Sequence, residues 1–412
     1  MSRQADQIRK AINKKQKKVK ANIVFPTGSD LLDIVVSGGQ GEGYPGGRII
    51  NIVGDKSSGK TFLACEIIAA SRYKYKNRLE WDYDDCESGF TFDTRHIYGF
   101  EIMPSDVSKR RRSQTVEEAY CNIRDFFERL KAGQLGIYVL DSLDGLTSDE
   151  SNGLAEERFK SFKTNKKFDK GSYKMGKAKY LSQEFFPQLA DLLEKKNGLL
   201  IIISQVRDNV DPMSFERYSR TGGKAMDFYC HTVLWLAQVH KIKKRERAIG
   251  VTVKAKTTKS KTPRPYRELF FNLLFDYGID NIGTNIDFLY DLLTNTGLLV
   301  KNASVRWGDK EGTLAELRQF LQAQNIERLY RKKVSPKLKR NEVAEWLENN
   351  ENKAIVKAYH NEFGSVMNRD DMIAYIEKNS LQSELKRKVV EKWESIEESI
   401  RVKRAPKYGS AS

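Results

Sequence analysis

The chain has 412 residues, 39% of them hydrophobic, with 72 Lys and Arg against 55 Asp and Glu. That size suffices for one large α/β domain with smaller attachments, and no apolar run approaches the roughly 20 residues that a membrane-spanning helix needs. The net charge of +17 points to a polyanionic partner, nucleic acid before membrane, because no strongly apolar amphipathic face accompanies it.

At the N-terminus, Met1–Asp6 lacks the apolar core of a signal peptide, which leads to the expectation of a cytoplasmic protein. Residues 1–20 carry eight Lys and Arg against one Asp. They read as a basic helix with little apolar face, suited to docking on another surface rather than folding alone. A glycine-rich stretch, 38–47, then leads into Arg48–Val53, a β-branched run that predicts a buried strand. Next comes Gly54-Asp55-Lys56-Ser57-Ser58-Gly59-Lys60-Thr61, which fits G-x-x-x-x-G-K-[ST] in full. Phe62–Ala70 follows with apolar residues at helical spacing. Strand, glycine loop and helix are the context this motif requires. The glycines let backbone N–H groups turn towards a phosphate, and the helix N-terminus adds its positive end. Lys60 is placed to reach the β- and γ-phosphates of a nucleoside triphosphate, and the Thr61 hydroxyl to hold Mg²⁺.

A strand around Leu79–Tyr83 precedes the acids Asp82, Asp84, Asp85 and Glu87. A helix near Val116–Lys131 precedes the strand Gly136–Leu140, which ends on Asp141. Residues 148–178 are polar and basic without a clear period and read as a long loop; Lys160, Lys163, Lys166, Lys167, Lys170 and Lys174 lie in it. A helix over Ala178–Lys196, which Pro187 should kink, feeds the strand Leu199–Ile203. A second polar loop, 206–224, leads to strands near Thr232–Val239, Val251–Ala255 and Leu269–Leu274. Alternating strands and helices predict an α/β fold with a mostly parallel sheet. From about 331 the pattern reads as wholly helical, over 341–349, 353–363, 369–379 and 382–402, and forms a small accessory domain. The four cysteines are scattered with no C-x-x-C pair, so free thiols are expected rather than disulfides or zinc.

A nucleotide hydrolase needs an acid at the metal and another to orient the attacking water. Asp141, at the end of an apolar strand, fits the first role. Glu87 is the choice for the second, although spacing alone makes Asp84 or Asp85 nearly as good.

At this point the chain resembles the RecA family of recombinases. The similarity runs through Thr27–Ile34, the phosphate loop with its paired serines, Asp85-Cys86-Glu87, Asp141–Thr147, Tyr173–Ala178, Ser204-Gln205-Val206-Arg207 and Thr221–Tyr229, in register over roughly 27–283. The resemblance implies a RecA-type P-loop ATPase core with an N-terminal helix and a helical C-terminal domain. It assigns the base to Glu87 and γ-phosphate sensing to Gln205, and it makes Lys259 and Lys261 cations that reach the ATP of a neighbouring subunit. Phe275 matches an aromatic that stacks on adenine. Domains are expected at 1–26 for subunit contact, 27–283 for the ATPase core and 284–412 for the C-terminal region.

The loops near 148–178 and 206–224 are then the expected DNA loops. Lys174, Arg207, Phe215, Arg217, Arg220, Gly222, Gly223 and Lys224 are the candidate contacts, offering cations, wedge surfaces and loop freedom. The function implied is an ATP- and Mg²⁺-dependent recombinase. It would form a helical filament on single-stranded DNA and exchange strands with homologous duplex DNA, with single-strand-binding and loader proteins as candidate partners and no membrane. Alternatives on the same core are a ring-shaped helicase or translocase, and a regulatory or scaffold ATPase without strand exchange. Three departures from the bacterial pattern stand out: a longer first loop, a larger helical extension, and 18 Lys and Arg against 13 Asp and Glu over 331–412 in place of an acidic tail.

Overall fold

The computed structural model describes residues 23–39, 41–163, 175–208, 218–262, 264–300, 305–307, 365–402 and 404. Strands β1 (Val24–Phe25) and β2 (Tyr44–Pro45) pair antiparallel and bracket the helix Asp30–Ser37. The central sheet holds β3 (Arg48–Gly54), β4 (Leu79–Asp85), β5 (Leu135–Asp141), β6 (Leu199–Asp208), β7 (Tyr218–Arg220), β8 (Thr232–Lys244), β9 (Arg247–Ser260), β10 (Glu268–Leu274) and β11 (Gly278–Ile279). Its spatial order is β11-β10-β9-β8-β3-β6-β5-β4, with β7 attached to β6. Strands β8, β3, β6, β5 and β4 are mutually parallel, while β9, β10 and β11 add an antiparallel flank. The α/β class and mostly parallel sheet are therefore as the sequence pattern predicts.

Continuous apolar runs make the parallel strands. Ile49, Ile50, Ile52 and Val53 of β3, Ile137–Leu140 of β5 and Leu199–Ile203 of β6 are all buried, as strands covered on both faces require. One cover comes from the helix Lys60–Tyr75, which buries Leu63, Ala64, Ile67 and Ile68. Another comes from the helices Val116–Arg129 and Phe186–Lys196, whose Ile123, Phe127, Leu189 and Leu193 join the same apolar cluster as Tyr138 and Leu140. A polar fastener sits inside this core. Asn51 of β3 is fully buried and donates to the Ile202 carbonyl (2.8 Å) and the Ser204 hydroxyl (2.9 Å) of β6.

Parallel register brings four chain positions to one edge. Gly54 of β3 lies opposite Gln205 of β6, and Asp85 of β4 opposite Asp141 of β5. The C-terminal ends of parallel strands are where α/β folds bind ligands.

Several expectations are corrected. Much of 148–178 is helical, over Asp149–Lys163 and Met175–Tyr180; Asp149 and Glu150 in the first turn and Lys160 and Lys163 in the last suit the helix dipole, a signal that the lack of an apolar stripe hid. The segment 206–224 begins as strand, since β6 continues through Asp208 and pairs with β7. Pro187 lies in the first turn of Phe186–Lys196, directly after a π-helical turn, Leu181–Phe185, so the helix leaves regular α geometry just ahead of the proline. The region after 331 is not wholly helical, because β13 (Ser365–Met367) pairs with β12 (Val305–Trp307). The expected helices at 3–20, 341–349 and 353–363 lie outside the described residues.

By contacts the chain divides into two compact units. One holds residues up to Asn285 together with 295–298 and those from Lys386 onward, and the other holds Ile286–Thr294 and Leu299–Leu385. In the second unit the helix Arg369–Lys378 is capped by Asn368, and Arg369 pairs with the buried carboxylate of Asp287 (Nε to Oδ1 2.6 Å). In the first, Lys386 pairs with Asp30 (2.8 Å) and Arg267 with Glu397 (2.8 Å).

Candidate nucleotide site

The phosphate loop joins β3 to the helix that begins at Lys60. Gly59 sits at φ 87° and Ser57 at φ 61°, left-handed backbone that glycine adopts freely and serine only at a cost. Gly54 is hemmed by the Ser58 side chain and the Leu236 carbonyl, so a Cβ there has no room. The Lys60 ammonium donates to the Asp55 carbonyl (2.8 Å). Burial lowers its pKa, opposed chiefly by the nearby charges of Asp141 and Glu87. Ser58 Oγ is buried without a protein partner.

Beyond the loop, Thr61 Oγ1 donates to Asp141 Oδ2 (2.8 Å), and the Tyr83 hydroxyl donates to the same oxygen (2.6 Å). Burial raises the Asp141 carboxyl above the ordinary range, and the Tyr83 and Thr61 hydrogen bonds work against that rise. A hydroxyl beside a carboxylate is a hard-oxygen donor pair suited to Mg²⁺. Together with the unpartnered Ser58 hydroxyl, it fits a metal–nucleotide ligand.

Glu87 faces this group. Gln205 Nε2 donates to both of its oxygens (2.9 and 3.1 Å), and Ser142 Oγ donates to Oε1. The other acids of this group, which lie within β4, do different work. Asp84 is fully buried and accepts from the Ser113 N–H (2.8 Å) and the Tyr138 hydroxyl (2.8 Å). Asp85 accepts from the N–H groups of Gly89 (3.1 Å) and Phe90 (3.0 Å), and Asp82 pairs with Arg111. Only Glu87 of the four is held at Gln205.

Lys259 and Lys261 stand elsewhere. Lys259 lies opposite Val233 on β8, which lies opposite Asn51 on β3, and the Lys261 N–H bonds the His231 carbonyl (2.9 Å). Asn51 is three residues before Gly54, so roughly 10 Å of strand separates the lysines' level from the start of the loop. Lys259 Nζ donates to the Phe228 carbonyl (3.2 Å). Its pKa is lowered by burial and by the charge of Lys261. Phe275 follows β10 at the loop's edge of the sheet and is 39% exposed.

The expected DNA contacts are only partly described. Arg207 lies in β6 opposite Ser219. Arg220 is paired with Asp227, its side chain 8% exposed. Gly222 (φ 100°) and Gly223 (φ 51°) form the entry to the helix Gly223–Tyr229, which contains Lys224. Lys174, Phe215 and Arg217 lie outside the described residues. Sequence reasoning gave no role to Tyr83, Ser142, Asp144 or Lys177. Tyr83 is legible only with the register in hand, because it reaches Asp141 diagonally from the neighbouring strand.

Residues 5–280 match the family model described as RecA N-terminal domain. "Protein RecA" of Ehrlichia ruminantium (strain Gardel) is 30% identical over 287 residues, 69% of this chain and 73% of that protein. "Protein RecA" of Sulfurovum sp. (strain NBC37-1) is 30% identical over 264 residues, 64% of this chain and 68% of that protein. A solved structure titled "Crystal structure of the RadB recombinase" covers 62% of this chain and 98% of its own at 18% identity with a TM-score of 0.41, too distant to argue from. With the family model covering well over half of the chain and the phosphate loop, Asp141 and Gln205 on one edge of a mostly parallel sheet, the chain belongs to the RecA family.

Proposed function

We propose that this family member is an ATP-dependent DNA recombinase that assembles on single-stranded DNA as a helical filament and exchanges strands with homologous duplex DNA. The observation that carries the reading is the separation of the lysines from the loop edge of the sheet. Thr61 bonds Asp141 and Gln205 bonds Glu87 at that edge, whereas Lys259 lies level with Asn51, about 10 Å back along the strands. Cations set back in this way would act on the nucleotide of a neighbouring subunit, which would make hydrolysis depend on assembly.

In this mechanism the loop Gly54–Thr61 wraps the phosphates with backbone N–H groups, and Lys60 counters their charge. Thr61 and Asp141 would hold Mg²⁺, which would supply positive charge against the phosphates. Glu87 orients the attacking water and accepts its proton, while Gln205 fixes the carboxylate and senses the γ-phosphate. Lys259 and Lys261 of the next subunit stabilise the transferring phosphoryl group, as an arginine finger does. Phe275 stacks on the base. The domain reading of 1–26, 27–283 and 284–412 belongs to the same proposal, with the first segment as a subunit contact. So does DNA binding along the loops near 148–178 and 206–224. The charge of +17 supports that binding, which should weaken steeply with salt as phosphate contacts release counterions. A cytoplasmic location is part of the proposal too; among the described residues no helix is long and apolar enough to cross a membrane.

Electron microscopy with single-stranded DNA and a slowly hydrolysed ATP analogue, paired with a strand-exchange assay, tests the reading. Open helical filaments with exchange are expected. Closed rings would sink it in favour of a helicase, and filaments without exchange would favour a scaffold ATPase.

A further inference from the structure

The turn that follows Asp141 touches Glu87, Gln205 and the roots of both candidate DNA loops. Its first residue, Ser142, donates to Glu87. Its Leu143 and Leu146 carbonyls both accept from Lys177 Nζ (2.8 and 2.6 Å), at the exit of the first candidate DNA loop. Leu143 also lies under Gly222, where an added Cβ would come within 3.4 Å of it. Between these contacts stands Asp144. Its Oδ2 accepts the backbone N–H of Gln205 (2.8 Å), and its Oδ1 accepts the hydroxyl of Thr221.

The ladder register gives that bridge its meaning. Strands β6 and β7 pair Asp208 with Tyr218, Arg207 with Ser219 and Val206 with Arg220. One step further in the same antiparallel register are Gln205 and Thr221. At that step the Asp144 carboxylate stands between the two residues and joins the N–H of one to the hydroxyl of the other. Hydrogen bonds to a carboxylate are among the stronger ones proteins make, and both here leave from the root of the segment 206–220. The second candidate DNA loop is thus closed at its base by a side chain that belongs to the metal-aspartate strand's exit turn.

We infer that Asp144 is a positioning residue that couples the nucleotide site to the second DNA loop. This rests on the functional reading above. Gln205 is held at two points, its side chain by Glu87 and its backbone by Asp144. Any displacement of Gln205 towards a phosphate moves an N–H that Asp144 grips, and Asp144 carries the displacement to Thr221 and the adjoining Gly222–Gly223 pivot. Lys177 anchors the turn's carbonyls, so the turn transmits that movement rather than absorbing it.

The test is a comparison of parent protein, Thr221→Val and Asp144→Ala. Single-stranded oligonucleotide affinity is measured with and without a slowly hydrolysed ATP analogue, and nucleotide affinity is measured without DNA. Thr221→Val is nearly isosteric and removes one hydroxyl, so it remains informative if Asp144→Ala fails to fold. Couplings between sites commonly span about 5- to 150-fold. Thr221→Val should cut the nucleotide-dependent gain in DNA affinity at least about fivefold while nucleotide affinity stays within about twofold. A merely structural role would instead lower both affinities together. A parent protein with strong coupling and a Thr221→Val variant with equal coupling overturns the role of Asp144 and leaves the recombinase reading intact. A parent protein whose DNA affinity ignores nucleotide overturns both.

Discussion

The loop edge of the central sheet and the level of the lysines, about 10 Å back along the strands, hold different halves of the proposed site, and they are built differently. At the C-terminal end of the parallel strands, Thr61, Tyr83 and Asp141 form one hydrogen-bonded group and Glu87, Ser142 and Gln205 another. At the lysines' level Lys259 is bonded to one carbonyl and pressed by the charge of Lys261. Groups that are knitted together within one chain can bind a ligand alone; a pair of cations set back from that site can act only on something brought to it. Removing the central cation of the knitted half should therefore have the largest effect. Lys60→Ala is expected to lower ATP turnover by about a thousandfold or more, whatever DNA is present. Turnover within tenfold of the parent, measured as phosphate release, would break the assignment of that end.

The other half should fail in a different way. Lys259→Ala with Lys261→Ala is expected to leave nucleotide affinity of the unassembled protein unchanged, and to reduce DNA-stimulated hydrolysis by about a hundredfold or more, as loss of a cation supplied in trans does. Mixing the double variant with Lys60→Ala sharpens this. Each variant retains the half that the other lacks, so partial recovery of stimulated hydrolysis is expected on mixing. Stimulation at the parent level in the double variant would remove the lysines from the reaction, and a loss without recovery on mixing would put both halves in one subunit.

Much of the first half was legible in the sequence, because its parts are local. A β-branched run, a fixed glycine spacing and an apolar helix spell out the phosphate loop without any tertiary knowledge. Asp141 announced itself as the end of an apolar strand. The acids Asp82, Asp84, Asp85 and Glu87 could not be sorted from the residues alone, because their roles depend on partners far away in sequence. Asp84 is claimed by Ser113 and Tyr138, and Glu87 by Gln205, over a hundred positions on. The helix Asp149–Lys163 was missed for a related reason: its charged surface leaves little apolar period to read. Asp144 stayed invisible because its role exists only where β6, β7 and the turn after β5 meet.

That sorting of acids gives a third, smaller contrast. Glu87→Gln should reduce turnover by about a hundredfold with little change in Tm, since Glu87 itself is exposed. Asp84→Ala should leave the chemistry and lower stability, by about 1–3 kcal/mol for each buried partner left unsatisfied. Thermal unfolding alongside phosphate release separates the two. A Glu87→Gln variant that melts early, or an Asp84→Ala variant that is stable yet inactive, would exchange their roles.

The smallest expected effect belongs to Glu66, on the helix that links the phosphate loop to the rest of the core. Burial pushes its carboxyl from the ordinary 4.5 up to about 7, and hydrogen bonds from Ile279 N–H and Tyr98 offset this only in part. A group whose folded pKa is raised contributes its full stability below the unfolded value. That contribution is lost as the pH rises through the folded value, because the folded state must then hold a charge in poor solvent. The window is thus from about 4.5 to about 7. Glu66→Gln removes the titration while keeping the shape. The variant should match the parent near pH 4 and exceed it near pH 8 by up to about 3 kcal/mol, because each pH unit between the unfolded and folded values is worth about 1.4 kcal/mol. Denaturant unfolding at the two pH values measures the difference directly. An advantage that is the same at both would show that the carboxyl is not held neutral. Because Glu66 touches neither Glu87 nor the far lysines, turnover per folded molecule should stay at the parent level, which makes this variant the control for every loss assigned to the two halves.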